Sequence, residues 1–230
     1  MKPLVIIPVR GGSKGIPYKN IKPLNNKPLV YYSIDCARQL VPDDDICIST
    51  EDPKIIKCVE DYGLKVPFVR PQELATDTAG SYEVLVHAFE YYRALGRKYD
   101  CIILLQATSP FRTAAQVKEA LALYNENIDM VVSVKKSATN PYYNCFEEDS
   151  NGLLQRVLKY KNITRRQDAP TTYEYNGSIY IINPESLMKT SLGNFQKRIK
   201  YEMDELYSLD VDTPIDWLFA EFVIKEHLIK

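Results

Sequence analysis

The sequence is poor in histidine, with only His87 and His227 in 230 residues. Its five cysteines, Cys36, Cys47, Cys58, Cys101 and Cys145, form no Cys-x-x-Cys pair. A zinc cage of Cys and His is thereby excluded. An odd set of thiols, most of them inside apolar runs, predicts buried free cysteines in a reducing compartment. No Ser or Cys nucleophile motif lies near either histidine, which argues against a hydrolytic triad. Excess charge is also missing: 29 Lys+Arg stand against 30 Asp+Glu, a net of −1. The global basic footprint of a nucleic-acid binder is absent, although a local cationic cleft is not ruled out. No apolar run approaches the roughly 18–20 residues of a membrane span. The early run Leu4-Val5-Ile6-Ile7 is too short for a signal peptide and is cut off by Arg10-Gly11-Gly12. A cytoplasmic protein is expected, with no membrane and no nucleic-acid partner.

What is present is an ordinary globular balance, 45% hydrophobic and 26% charged, at a length suited to one or two domains. Short apolar runs alternate with amphipathic stretches. Strands are predicted at 3–9, 45–49, 65–69, 101–105, 130–134, 177–182 and 207–211. Helices are predicted at 28–40, 51–62 (with Thr50 as N-cap), 81–95, 113–124, a short one after Pro184, and 213–228. Strands alternating with helices of 10–15 residues predict an α/β fold of three layers, a mostly parallel sheet with helices on both faces. The stretch from Lys136 to Tyr175 breaks the pattern. It reads as short antiparallel strands or a lid, so the chain is expected to be one domain with an inserted arm near 137–175.

Five segments carry chemistry. Arg10-Gly11-Gly12-Ser13-Lys14-Gly15, running on to Lys19-Asn20, follows the first strand, at the sheet edge where ligands bind in open α/β folds. Its glycines let the backbone approach an anion, and Arg10, Lys14 and Lys19 add three cations. It is neither a Walker A loop nor Gly-x-Gly-x-x-Gly, which removes the main support for kinase and dinucleotide readings. Asp210-Val211-Asp212 places two carboxylates at i and i+2. In a regular strand both point to one side, and a hard cation such as Mg²⁺ takes one or two carboxylates plus substrate phosphates. Gln106-Ala107-Thr108-Ser109-Pro110-Phe111-Arg112 offers neutral hydrogen-bonding groups suited to sugar hydroxyls, or a plain turn. The stretch from Arg70 to Ser81 is a loop ending at a helix N-terminus, able to read a base edge or hold a phosphate. Arg165-Arg166 can grip a carboxylate or be a solvated patch.

Taken together, the run from Ile7 to Pro17, Lys19-Asn20, Arg70-Pro71 with Leu74-Ala75 and Asp77, Leu105 to Pro110, and Asp210-Val211-Asp212 resemble the acylneuraminate cytidylyltransferase family, in the family's order and over nearly the whole chain. The resemblance implies a nucleotide-diphospho-sugar transferase-like fold and transfer of a cytidylyl group from CTP to a 2-keto-3-deoxy nonulosonic acid. It also implies a Mg²⁺ requirement and a homodimer built through the arm. By the same resemblance, Arg10 and Lys19 match residues that hold the triphosphate and Asn20 one near the ribose, with Gly11, Gly12, Ser13 and Lys14 in the same nucleotide-binding loop. Arg70, Ala79 and Ser81 correspond to cytosine recognition, and Gln106, Thr108 and Asn176 to the sugar. Asp210 and Asp212 correspond to the metal pair, and Arg166 to a residue reaching the partner subunit's sugar. Two departures stand out. Ala107 replaces a common proline, and Glu174 sits where sialic-acid members often carry a basic residue, which opens the choice among nonulosonic acids. A synthetase for an eight-carbon keto-sugar acid, a cytidylyl- or uridylyltransferase acting on a phosphorylated substrate, and a catalytically silent nucleotide sensor are the alternatives.

Overall fold

The computed structural model describes residues 1–12, 15–76, 80–158 and 163–229. In chain order the strands and helices are β1 (Pro3–Pro8), β2 (Pro23–Leu24), β3 (Lys27–Pro28), α1 (Leu29–Arg38), β4 (Ile46–Ser49), α2 (Pro53–Asp61), α3 (Ser81–Ala94), β5 (Cys101–Leu105), α4 (Ala114–Ala122), β6 (Met130–Lys136), β7 (Phe146–Glu148), β8 (Leu154–Arg156), β9 (Tyr173–Ile182), α5 (Pro184–Lys189), β10 (Arg198–Glu202) and α6 (Pro214–Lys225). The central sheet runs β10-β6-β9-β5-β1-β4. All its pairings are parallel except those of β9, which is antiparallel to both β5 and β6.

The apolar runs of the strands are continuous because both sheet faces are covered. Val5, Ile7, Ile46, Ile48, Ile103 and Leu105 face one core, shared with Val30 and Ile34 of α1, Ile55 and Val59 of α2, and Val117 of α4. Leu4, Ile6, Cys47, Ile102 and Leu104 face the other, closed by Leu85, Ala88, Phe89 and Tyr92 of α3 and Leu187 of α5. This is the predicted three-layer arrangement. A third cluster packs Trp217, Ala220 and Val223 of α6 on Ile16, Leu24, Leu29, Phe111 and Val211. All five cysteines are free thiols.

Local signals explain the helix starts. Thr113 and Gln116 form a reciprocal capping box for α4, and Thr213 with Asp216 does the same for α6. Helix α2 starts differently from expectation. Its N-cap is Asp52, whose carboxylate accepts from the N–H groups of Lys54 and Ile55. Thr50 instead forms a parallel bridge to Val69. That bridge is all that forms of the strand expected at 65–69.

The expected strand at 207–211 is absent. Leu206–Ser208 is a 3-10 turn, and the residues that follow it stay outside the sheet, with Val211 N–H donating to the Thr108 carbonyl at 2.8 Å. The alternation of Tyr207, Leu209 and Val211 serves the loop's packing toward α1 and α6. The sixth sheet position belongs to β10, whose sequence Arg-Ile-Lys-Tyr-Glu carries the charges typical of an edge strand. The inserted arm leaves after β6 and returns at β9, so it spans 137–172, because Tyr173, Glu174 and Tyr175 already pair with β6. It contains the antiparallel ribbon β7–β8.

Candidate active site

The loops after β1 and β5 emerge at the same sheet edge, because these strands are parallel. Antiparallel β9 brings its first half, with Asn176 and Gly177, to that edge as well. There a cavity of about 520 Å³ is lined by Arg10, Gly15, Lys19, Asn20, Arg70, Gly80, Ser81, Gln106, Thr108, Asp210 and Asp212, with Pro8, Leu74, Thr76, Val84 and Ala107 among the remaining wall residues.

The phosphate-type loop meets the acidic pair directly. Lys19 Nζ donates to Asp212 Oδ1 at 2.7 Å, and the lysine side chain is 9% exposed against 67% for the aspartate. Asn20 Nδ2 donates to the Arg10 carbonyl at 3.1 Å, tying the loop's end to its start. Arg10 Nη1 donates to the Thr76 carbonyl at 3.4 Å. Asp210 is the more buried member of the acidic pair. Burial pushes its carboxyl above the usual range and the Asp212 charge adds to that, while a hydrogen bond from Thr108 and the charge of Lys19 pull the other way. Its Oδ1 is buried and has no partner among the described residues.

Two glycines make this approach possible. A Cβ at Gly15 would overlap the backbone carbonyl oxygen of Asp212, and one at Gly177, whose φ is +71°, would reach 3.0 Å from Asp210 Oδ2. Backbone oxygen cannot swing aside as a side-chain tip does, so Gly15→Ala must part the phosphate loop from the acidic pair. It is expected to lower kcat/KM of the reaction this cavity supports by at least about tenfold, with a small loss of thermal stability. An unchanged kcat/KM would show that the contact is dispensable.

The expected site residues divide into three groups. Arg10, Lys19, Asn20, Arg70, Ser81, Gln106, Thr108, Asp210 and Asp212 share the cavity. Although the strand argument for Asp210 and Asp212 fails, both reach the cavity from a loop. Gly11, Gly12, Asn176 and Arg166 are not among its lining residues. Gly11 donates its N–H to Glu51 Oε1 at 2.8 Å, and Gly12 has open space above its Cα. Asn176 is 4% exposed, and its amide is spent on Ser133, Ser208 and the Ser178 N–H. It therefore stands behind the cavity, within β9 where the ladder with β6 shifts register. Arg166 lies in the arm, in a second recess with Lys136, Ser137 and Asn140, and donates to the Ala138 carbonyl at 3.3 Å. Its neighbour Arg165 pairs with Asp168. Ser13, Lys14 and Ala79, together with Asp77, lie outside the described residues. Ser81 is the first residue of α3, and Gly80 is its N-cap.

Glu174 pairs across the β6–β9 ladder with Lys135 at 3.2 Å and accepts a hydrogen bond from Ser137 Oγ. Its charge is thus matched at the base of the arm.

Two residues were given no part by sequence reasoning. Glu51 ties Gly11 to Arg70. Arg112, 4% exposed, donates to the carbonyls of Gln106 (2.6 Å) and Ser178 (3.2 Å) and to Ser33 Oγ. Burial draws its guanidinium down to about 10, which still leaves it charged at neutral pH. It clamps the loop that carries Gln106 and Thr108 onto β9 and α1.

The chain matches the profile of the family described as cytidylyltransferase over residues 4–228. It belongs to the cytidylyltransferase family. Among curated members, a CMP-N,N'-diacetyllegionaminic acid synthase of Legionella pneumophila is 31% identical, over 96% of this chain and 95% of that protein. A pseudaminic acid cytidylyltransferase of Campylobacter jejuni is 30% identical, over 98% and 97%. An N-acylneuraminate cytidylyltransferase of Streptococcus agalactiae is 34% identical over 98% of this chain, which spans only 55% of that longer relative. The fold of this cytidylyltransferase is similar to that of a CMP:2-keto-3-deoxy-manno-octonic acid synthetase solved with CTP, with a TM-score of 0.72 at 17% identity and coverage of 99% and 100%. The α/β fold expected from the sequence is therefore one that this chain shares with that synthetase. No helix among the described residues is long and apolar enough to cross a membrane.

Proposed function

We propose that this cytidylyltransferase moves CMP from CTP to the anomeric hydroxyl of a nonulosonic acid, a nine-carbon 2-keto-3-deoxy sugar acid, with release of pyrophosphate. The observation that carries the reading is the meeting of the phosphate-type loop with the acidic pair, Lys19 against Asp212 and Gly15 against the Asp212 carbonyl, inside one cavity. The activities named for the curated relatives, on legionaminic, pseudaminic and N-acylneuraminic acids, support the acceptor class.

The chemistry is an in-line displacement. The acceptor's C2 hydroxyl oxygen forms a bond to the α-phosphorus, the bond from that phosphorus to the oxygen bridging the β-phosphate breaks, and the hydroxyl proton passes to solvent. Such transfers depend on positioning and charge neutralisation more than on covalent work by the protein. Arg10 and Lys19 offset charge on the phosphates. Of the residues sharing the cavity, Arg70 and Ser81 would read the base, and Gln106 and Thr108 would meet the sugar, as the family resemblance implies. Mg²⁺ is the proposed cation for Asp210 and Asp212. The donor set suits it: two carboxylates, one with a buried oxygen lacking a partner. No cluster of three or more His, Cys, Asp or Glu occurs among the described residues, so substrate phosphates would complete the shell. When bound, the metal would supply neutralising charge and make the attacking hydroxyl more acidic.

We also assign the arm to pairing with a second copy. Phe146, Leu153, Leu154 and Leu158 there are exposed apolar groups. Arg166 would then serve the partner's acceptor. The five free thiols fit a cytoplasmic setting.

The test is pyrophosphate release from CTP and Mg²⁺ across N-acetylneuraminate, its deaminated form, legionaminate, pseudaminate and the eight-carbon keto-sugar acid. Release with a nine-carbon acceptor is the expected result. Release only with the eight-carbon acid replaces the acceptor class, and CTP binding without release from any of the five favours a sensor.

A further inference from the structure

Glu51 lies two residues after the end of β4, outside the cavity wall, and its side chain is only 10% exposed. Its two oxygens go to two different segments, one of which lines the site. Oε1 accepts from the Gly11 N–H at 2.8 Å, in the phosphate-type loop. Oε2 accepts from Nη2 of Arg70, which lines the cavity and is 4% exposed. The same Nη2 donates to the Val9 carbonyl at 3.1 Å, and the Arg70 N–H donates to the Thr50 carbonyl at 2.8 Å. Nε of Arg70 is buried without a partner among the described residues. One carboxylate therefore holds the guanidinium and the phosphate-type loop in a fixed relation.

A buried anion beside a triphosphate cavity works against nucleotide binding unless its charge is neutralised and its position gives something back. Arg70 neutralises it. What it gives back is orientation. A guanidinium only donates hydrogen bonds. Cytosine offers an acceptor at N3, whereas uracil offers a donor there. An arginine held in one orientation against the base edge therefore discriminates between the two, and one free to turn away does not.

We propose that Glu51 is a positioning residue that couples Arg70 to the phosphate-type loop and so sets both the nucleotide affinity and the preference for CTP over UTP. This rests on the CTP reading of the cavity, and the test separates the two. Glu51→Gln can satisfy one tie only, because its single carbonyl oxygen serves Gly11 or Arg70 while its NH₂ faces the other donor. Glu51→Asp keeps the charge but is one methylene short of spanning both.

The experiment is calorimetric binding of CTP and of UTP to wild type and both variants, alongside thermal melts and, with a productive acceptor, kcat and KM. Wild type is expected to bind CTP more tightly than UTP. In Glu51→Gln the CTP affinity should fall about tenfold and the CTP:UTP ratio should shrink by a similar factor, as for one lost charge-assisted hydrogen bond. KM should rise more than kcat falls. Glu51→Asp should lie between, and it carries the test if the glutamine variant does not fold. Wild-type CTP affinity and ratio in both variants overturn the proposal while leaving the CTP reading intact. Equal weakening toward both nucleotides, tracking the melting temperature, reduces Glu51 to a structural anchor and also overturns it. A wild-type protein that binds no CTP removes the reading on which the proposal stands.

Discussion

Replacing Lys19 by alanine is expected to lower kcat by about 10²–10³-fold, the usual loss on removing one preorganised charge from a site of this kind, while the chain still folds. The argument turns on burial. The Lys19 side chain is 9% exposed and aimed at the cavity, so its charge acts in a poorly hydrated place. Its partner is 67% exposed, and after the substitution Asp212 returns to water rather than being left as a stranded buried charge. Partly exposed pairs of this kind contribute about 1 kcal/mol or less to stability. A melt close to wild type together with a collapsed rate of pyrophosphate release is the expected signature. Asp212→Ala should share it, because the other half of the pair is lost and the proposed cation loses a carboxylate. Wild-type-like turnover in either variant would remove both residues from the chemistry.

Arg112→Ala should do the opposite: its main cost falls on stability. The Gln106 and Ser178 carbonyls and Ser33 Oγ would lose a charged donor in a place where water does not reach easily. Hydrogen bonds to a charged group contribute about 1.5–3 kcal/mol each, and buried acceptors left without a partner are costly. A net loss of about 3–5 kcal/mol is expected, lowering the melting temperature by about 10 °C for a chain of this length. Lysine should rescue little, because a single ammonium cannot reproduce the fork that spans the β5 loop, β9 and α1. A shift of only a degree or two would show that the surrounding backbone finds other donors.

The parts of the fold that were legible are those where burial writes itself into composition. The run Leu4-Val5-Ile6-Ile7 and the run from Cys101 to Leu105 are apolar because helices cover both faces of the sheet. Thr113 and Thr213 announce helix starts by chemistry alone. Strand β10 escaped notice because an edge strand hides its pattern under Arg198, Lys200 and Glu202. The antiparallel direction of β9 leaves no mark in its own residues, since pairing direction depends on how the arm returns the chain. The segment at 207–211 misled because alternation records which side chains pack, not whether the backbone joins a ladder.

The site was legible where it is polar and follows an apolar run: Arg10, Lys19, Gln106 and Thr108 gather as their positions at strand ends require. Glu51 and Arg112 were invisible for a physical reason. A charge buried by its partners and a charge solvated on the surface are the same letter in a sequence, and only the fold says which is which. Arg112 even lies inside the stretch singled out for sugar contacts, on the end that points inward.

The contact between Lys19 and Asp212 joins residues 193 positions apart. During synthesis the phosphate-type loop emerges with nothing to close against. Its acidic counterpart follows 193 positions later, carried in front of α6. Local folding of the first strands and helices can begin before then, as domains growing from their N-terminus do, but the site itself waits for that later segment. Contacts this distant along the chain are slow to form, since most of the loop entropy must be spent before they return anything. A ribosome-bound or C-terminally shortened chain would therefore hold much of the sheet and none of the completed nucleotide cavity. Nucleotide added to newly made protein would act as a late clamp, favouring the fully docked state by mass action.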